Sequence, residues 1–299
     1  MAVPRYKGSM LRGALYRALI DDYCLNKSSL SCLTCSLNEA CPISKLAATV
    51  DRQSDRGAEV PRPFALRPDI DLTSHYKPGD VFEFGITLFG ESLALFPYLI
   101  LAICHAGERG IGNRSLAPGV FSLEEAHEMN EFARIERVIY QNEQKEVGLP
   151  KTPITNEQVK NFSANLPSDG LRLHLLTPLR LVSKGGLVRK LTFPLLMQRL
   201  FRPLSDVYWQ WCHVRLEIDF QALLEKAATI KVIDDETSWL DLSSYSRRQG
   251  RPTPIGGLVG DIAFGGELEV FLPYLVWGQF THVGKDITKG NGWYQIVTS

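Results

Sequence analysis

A pattern of strand, helix, glycine-rich loop and strand occurs twice in this chain, and the duplication restricts its fold more than any other feature. The first copy runs Leu-Phe-Gly-Glu-Ser-Leu-Ala-Leu-Phe-Pro-Tyr-Leu from Leu88 to Leu99. It continues through a helix to His105-Ala-Gly107, a loop Glu-Arg-Gly-Ile-Gly-Asn-Arg and a strand at Val120. The second runs Ala-Phe-Gly-Gly-Glu-Leu-Glu-Val-Phe-Leu-Pro-Tyr-Leu from Ala263 to Leu275, then a helix to His282-Val-Gly284, a loop Lys-Asp-Ile-Thr-Lys-Gly-Asn-Gly and a strand at Trp293. Pro97 and Pro273 suit a first helical turn, and Gly107 and Gly284 suit helix C-caps. Two such units predict an α+β protein of two tandem ferredoxin-like domains. The polar, Pro-containing stretch from 145 to 170 marks the boundary between them. The expected domains are 1–150, with a cysteine-rich insertion, and 165–299, with a basic hairpin and the second glycine-rich loop.

A chain of 299 residues, 44% hydrophobic and 22% charged, can build two such cores and is not a disordered polymer. Its longest apolar run, Leu93 to Cys104, is interrupted by Pro97, and its first residues do not read as a hydrophobic leader. A cytoplasmic protein with no membrane partner is expected. The first helix shows Leu11, Ala14, Leu15, Ala18 and Leu19 at helical spacing, with Ser9 placed to cap it and an end near Tyr23. Val81 to Phe89 and Leu171 to Leu176 read as strands, and Leu179 to Phe193 as a hairpin turning at Lys184-Gly185-Gly186. A helix from Pro194 toward Cys212, kinked at Pro203, and a short helix from Phe220 to Ile230 follow.

Lys plus Arg equals Asp plus Glu at 33 each, so the whole-chain charge names no partner. The distribution is uneven. Residues 170 to 216 hold Arg172, Arg180, Lys184, Arg189, Lys190, Arg199, Arg202 and Arg215 against the single acid Asp206. A phosphate chain responds to this local field, which decays over about 8 Å at physiological salt. Glycine-rich loops can expose successive backbone amides to an anion, and each loop here is flanked by cations: Arg109 and Arg114 in one, Lys285 and Lys289 in the other. Four of six cysteines, Cys24, Cys32, Cys35 and Cys41, fall close together, and the two-residue gap of Cys32-Leu-Thr-Cys35 is that of a zinc knuckle. The set reads either as a structural zinc site or as buried reduced thiols.

Several segments together carry a family resemblance. These are Lys7-Gly-Ser-Met-Leu-Arg-Gly13, Cys41-Pro42, Thr177-Pro-Leu-Arg-Leu, Tyr245-Ser-Arg-Arg-Gln-Gly, Gly256-Gly257-Leu-Val-Gly260, Leu272-Pro-Tyr-Leu, His282-Val-Gly-Lys285 and Gly290-Asn-Gly292-Trp-Tyr294. Most of the chain resembles the CRISPR-associated endoribonucleases of the RAMP superfamily, which process precursor crRNA. The family usually places a full strand before the Lys-Gly-Ser helix, so the first domain here either lacks that strand or borrows one. The resemblance implies binding of CRISPR repeat RNA and metal-independent cleavage by an adjacent ribose 2′-hydroxyl, with retention on the crRNA 3′ handle. For that reaction His282 fits the base by its chemistry and Lys285 or Lys289 the charge stabiliser, with Tyr23, Lys27 and Lys45, after the first helix where the family's active site often sits, as a second set. RNA contacts are expected from Arg109, Arg114, Arg180, Lys184, Arg189, Lys190, Arg199, Arg202, Arg247, Arg248, Lys285 and Lys289. The remaining histidines, His75, His105, His127, His174 and His213, read as structural. No histidine precedes His75, which favours the alternative of a crRNA-binding subunit of a CRISPR effector complex that does not cut.

Overall fold

The computed structural model describes residues 1–29, 31–48, 60–112, 119–246 and 250–298. Arg114, Arg247 and Arg248 lie outside them. In the N-terminal half, α1 (Gly8–Tyr23) buries the stripe Leu11, Ala14, Leu15, Ala18 and Leu19. Ser9 does not cap this helix. Lys7 holds the cap position, and Ser9, inside the first turn, bonds through its hydroxyl to that of Ser244. The strand β1 (Phe64–Arg67) pairs antiparallel with β2 (Gly85–Leu88). A helical turn, Gly90–Leu95, leads into α2 (Phe96–Arg109), with Pro97 in its first turn, where a missing N–H costs nothing. Gly107 lies inside α2, and Gly110, at φ 76°, is its cap. Phe121 packs so close to Gly107 that a Cβ there would strike its carbonyl.

By length and composition the run Gly90–Arg109 could cross a membrane despite Pro97. Here Leu99, Ala102, Ile103 and Ala106 of α2 pack instead on the apolar stripe of α1, joined by Ile43, Leu46 and Leu66. Ahead of α1, Ala2 bridges to His75 and Val3 N–H donates to Ser74 O at 2.9 Å, so a few residues make a strand-like pairing. A hairpin of β3 (Glu125–Asn130) and β4 (Ile135–Gln141) follows. Within the segment expected as a linker lies α3 (Asn156–Ser163), capped by Thr155, whose hydroxyl accepts from Gln158 N–H while Gln158 accepts from Thr155 N–H. Val159 of α3 and Leu166 belong to the C-terminal core.

That core is built on β5 (Gly170–Leu179), whose alternation sends Leu171, Leu173 and Leu175 inward and leaves Arg172 and His174 on the other face. A hairpin of β6 (Val182–Ser183) and β7 (Gly186–Leu187) turns through Lys184 at φ 49° and Gly185 at φ 79°. Two positive φ values in a two-residue loop match the right-handed twist of the flanking strands. Next come α4 (Phe193–Cys212), continuous through Pro203, and α5 (Phe220–Ala227). The strands β8 (Lys231–Asp235), β9 (Ser238–Leu240), β10 (Ser243–Ser246) and β11 (Arg251–Pro254) precede β12 (Gly257–Gly265), α6 (Leu272–Thr281) and β13 (Tyr294–Val297).

The sheet order is β13-β5-β12-β8, every neighbouring pair antiparallel, with β9 beside β12. The first and third of its four main strands are therefore central. Their helical connections, α4 and α6, supply Phe193, Leu196, Met197, Leu200, Leu275 and Val276 to one core beneath Leu173 and Phe264. Phe193 meets Phe264 and Phe271 edge-on at 5.1 Å centroid separation, a favoured aromatic geometry. The halves join where Ala65 and Phe89 pack on Val207 and Trp211 of α4, and Trp211 Nε1 donates to Pro61 O at 2.9 Å.

Candidate functional site

The end of β5, the hairpin and the loop after α6 form one continuous surface. Arg180 holds the β11–β12 turn by donating to Gly256 O at 2.8 Å, and its own carbonyl accepts from Lys285 N–H at 3.0 Å. Arg199 donates to Val182 O at 2.6 Å and so braces the hairpin from α4. Arg189 lies 3.6 Å over the ring of Trp239, an attraction between the cation and the ring face. Lys184, Lys190 and Lys285 are exposed and have no ion-pair partner among the described residues. Arg202, 84% exposed, sits apart on α4 beside Asp206 at 4.0 Å. The basic stretch seen in the sequence thus separates into bracing arginines, Arg180 and Arg199, and exposed cations around a protruding ribbon.

The loop after α6 is not an open row of amides. Val283 N–H donates to Gly292 O, Gly292 N–H to Pro178 O, Lys289 and Asn291 N–H to Asp286 O, and Gly290 N–H to Ile287 O. Its backbone is further wedged between the halves. A Cβ on Gly8 would strike Lys289 O, and one on Gly290 would meet Pro68 at 2.5 Å. The expectation of an amide cradle for phosphate fails for these positions because their donors are spent on the protein. Lys289 is paired with Asp286 at 2.8 Å.

His282 lies beneath this loop, 1% exposed, at φ 60° and ψ 171°. Its Nδ1 is 3.2 Å from Asn291 O, its ring lies parallel to Trp293, and Nε2 has no partner among the described residues. Burial, reinforced by the charge of Arg67 and opposed by the Asn291 carbonyl, pushes its pKa down to about 3. The expected role of His282 as base is therefore corrected: the ring is neutral but closed off from a ribose arriving through solvent. The exposed Lys285 nearby has no base to work with.

A different cluster forms where α1 ends against α2. His105 Nδ1 lies 3.0 Å from Asp22 Oδ2 and 3.3 Å from Tyr23 Oη. The rings of Tyr23 and His105 are parallel within 4° at 5.8 Å. Arg109 pairs with Asp22 and reaches Asp21 at 3.6 Å, while Lys27 Nζ donates to Asp21 O at 2.6 Å. Burial raises the Asp22 pKa, but the bonds from Arg109 and His105 outweigh it and hold the carboxyl below its usual value. Burial, with the Asp22 charge, raises the Tyr23 phenol. Of the second expected set, Tyr23 and Lys27 meet here, whereas Lys45 is exposed in the turn Ser44–Ala48. The repeat sets His105 opposite His282, but its pairing with Asp22, 83 positions away, is given by no local spacing.

The four cysteines form no disulfide among the described residues and are half-buried. Burial, then the neighbouring Cys41, Cys24 and Cys35, raises the Cys32 pKa. Cys35 Sγ accepts from Asn26 at 3.5 Å. Among the described residues no group of three or more His, Cys, Asp or Glu converges as a metal site, so the zinc reading lacks a ligand set.

Comparison with known proteins accords with this geometry. Residues 173–294 match the family profile described as CRISPR-associated endoribonuclease Cas6, and residues 1–152 match the AF_1859_N profile, described as an N-terminal domain. Over residues 173–294 the chain thus carries the C-terminal part of the Cas6 family of CRISPR-associated endoribonucleases. Among solved structures, a Cas6 product complex is similar over 99% of this chain and 96% of its own, at 14% identity and a TM-score of 0.54. A second Cas6 product complex covers 99% and 94%, at 16% identity and a TM-score of 0.51. Thermus thermophilus Cas6 covers 99% and 93%, at 14% identity and a TM-score of 0.50. At such identities the likeness is one of fold. No curated protein matches the sequence.

Proposed function

We propose that the protein binds CRISPR repeat RNA and cuts precursor crRNA, in the cytoplasm, by metal-independent attack of a ribose 2′-hydroxyl on the adjacent phosphate. The products are a cyclic phosphate and a 5′-hydroxyl, with the protein staying on the 3′ handle. The observation that supports this most is the family match over 173–294, which contains the hairpin bearing Lys184, Arg189 and Lys190. We read the chain as two ferredoxin-like domains, 1–150 and 165–299. The β13-β5-β12-β8 order supports this for the second, and the Ala2–His75 bridge supports a borrowed first strand in the first.

In this reading Lys184, Arg189, Lys190 and Lys285 meet the phosphates of an RNA stem. Incubating a labelled CRISPR repeat transcript from the same genome with the protein in EDTA tests it. Cleavage leaving a cyclic phosphate supports the enzyme. Retention without cutting supports the second reading, a binding subunit of an effector complex, which the burial of His282 favours. Replacing both Lys184 and Lys190 by Ala should weaken binding across sequences and flatten its salt dependence, by a slope of roughly 0.7 to 0.9 for each phosphate that is no longer neutralised. A salt slope identical to that of the wild type would remove the hairpin from the interface.

A further inference from the structure

Cleavage of RNA by its own 2′-hydroxyl needs a group that takes the hydroxyl proton, and the enclosed His282 does not reach solvent. We propose that His105 is this base, oriented by Asp22 and Tyr23. The proposal rests on the endoribonuclease reading and names the residue at its centre.

The geometry sets the tautomer. With Nδ1–H donated to the Asp22 carboxylate at 3.0 Å, the lone pair of the neutral ring lies on Nε2. That atom has no hydrogen-bond partner among the described residues, and the side chain is 37% exposed. The two halves of the dyad come from different helices, and the shared core of Leu15, Leu19, Leu99 and Ile103 fixes their separation. Tyr23, parallel to the imidazole, restricts its rotation. The charged groups around the pair are Asp21, Asp22, Glu108, Arg109 and Lys27, and Tyr98 meets Tyr23 edge-on at 6.0 Å. Arg109 is already paired with Asp22 and Asp21, so the exposed Lys27, bonded only to the Asp21 carbonyl among the described residues, is the cation left to a phosphate here.

His174 forms a comparable pair with Asp261 at 2.9 Å, beside a cleft of about 250 Å³ that Tyr6 and Asp69 also line. That face opposes a phosphate. Asp69, Asp234 and Asp261 gather there, and its cations are already committed, Arg172 to Asp234 and the buried Lys7 to Asp69. Both rings reach solvent, and the His–Asp pair beside an exposed lysine is the one at the end of α1.

In the step proposed, Nε2 of His105 takes the 2′-hydroxyl proton as the 2′-oxygen bonds to phosphorus. The bond from phosphorus to the 5′-oxygen breaks, and the leaving oxygen takes a proton from solvent water. The imidazolium, stabilised by Asp22, returns its proton to solvent. No redox change occurs.

The test is single-turnover cleavage of a 5′-labelled repeat transcript at saturating protein, in EDTA, across pH. His105→Ala should lower the rate by roughly 10²- to 10⁴-fold with RNA affinity unchanged. Added imidazole should restore part of it. Asp22→Ala, a positioning variant, should give a smaller loss and an altered pH profile. His105→Asn, which retains a polar side chain on α2, covers the case in which the alanine variant does not fold. A folded His105 variant cutting within threefold of wild type, or a loss seen instead in His174→Ala, would overturn the assignment while leaving the enzyme reading intact. Wild-type protein that binds the transcript without cutting it would overturn both.

Discussion

His105 and His282 hold equivalent places in the two copies of the repeat, each about one helical turn before the first loop cation, yet their surroundings are opposite. The α2 helix continues past His105 to Arg109, so the imidazole stays on a helical face and turns toward Asp22. The α6 helix stops at Thr281, and His282 becomes the cap, its left-handed φ of 60° folding the ring inward against Trp293. One extra turn of helix separates a half-exposed ring with a carboxylate from an enclosed one with an orphan nitrogen. The two copies share a backbone plan, and the ends of their helices set different chemistry on it.

The comparison can be broken most directly by substituting each ring in turn. His105→Ala should all but abolish cutting, whereas His282→Asn should leave the saturated single-turnover rate within about threefold while lowering the melting temperature; the reverse pattern would return the base to the second copy. The next effect concerns the packing that encloses His282. Gly8→Ala puts a methyl against the Lys289 carbonyl, and should cost about 1 to 3 kcal/mol in denaturant unfolding. A neutral result would mean the loop is not clamped by α1.

Acid stability sharpens the contrast further. The folded His282 titrates near 3 and an unfolded histidine near 6.5, so between those values the unfolded chain binds the extra proton. Stability from this residue is complete above about pH 6.5 and falls as pH drops toward 3. At pH 5 the loss should be about 2 kcal/mol relative to pH 8, and His282→Asn should remove that part of the slope. An unchanged acid limb in the variant would show that the ring is hydrated in solution. The smallest effect belongs to the hairpin: Gly185→Ala, at φ 79° with open space around it, should cost about 1 kcal/mol through backbone strain alone.

Much of the framework is legible from residues alone. The repeat locates α2 and α6, Pro97 and Pro273 fall in first turns, and Lys184-Gly185 marks the hairpin because few residues accept two successive positive φ values. The β3–β4 hairpin is not legible, since Glu125-Ala-His-Glu-Met-Asn is largely polar and its inward positions include Glu128 and Asn130 rather than apolar residues. The helix α3 hides in a segment whose Pro and Asn residues read as linker, although Thr155 and Gln158 form a capping box. Gly107 resembles a cap because a glycine in a helix interior is costly; its reason is the approach of Phe121, a tertiary contact. The cations are visible as a run, but which of them brace the fold and which face solvent depends on partners such as Gly256 and Val182 that spacing does not reveal.

Pinned at Gly8 against Lys289 and ending at Tyr23, the sixteen-residue α1 is a calliper of about 24 Å between the second glycine loop and the His105 cluster. In the proposed reading this gauge is rigid, so the offset from stem to cut is measured by the protein. Repeats of differing base order but equal stem geometry would then yield ends of one length.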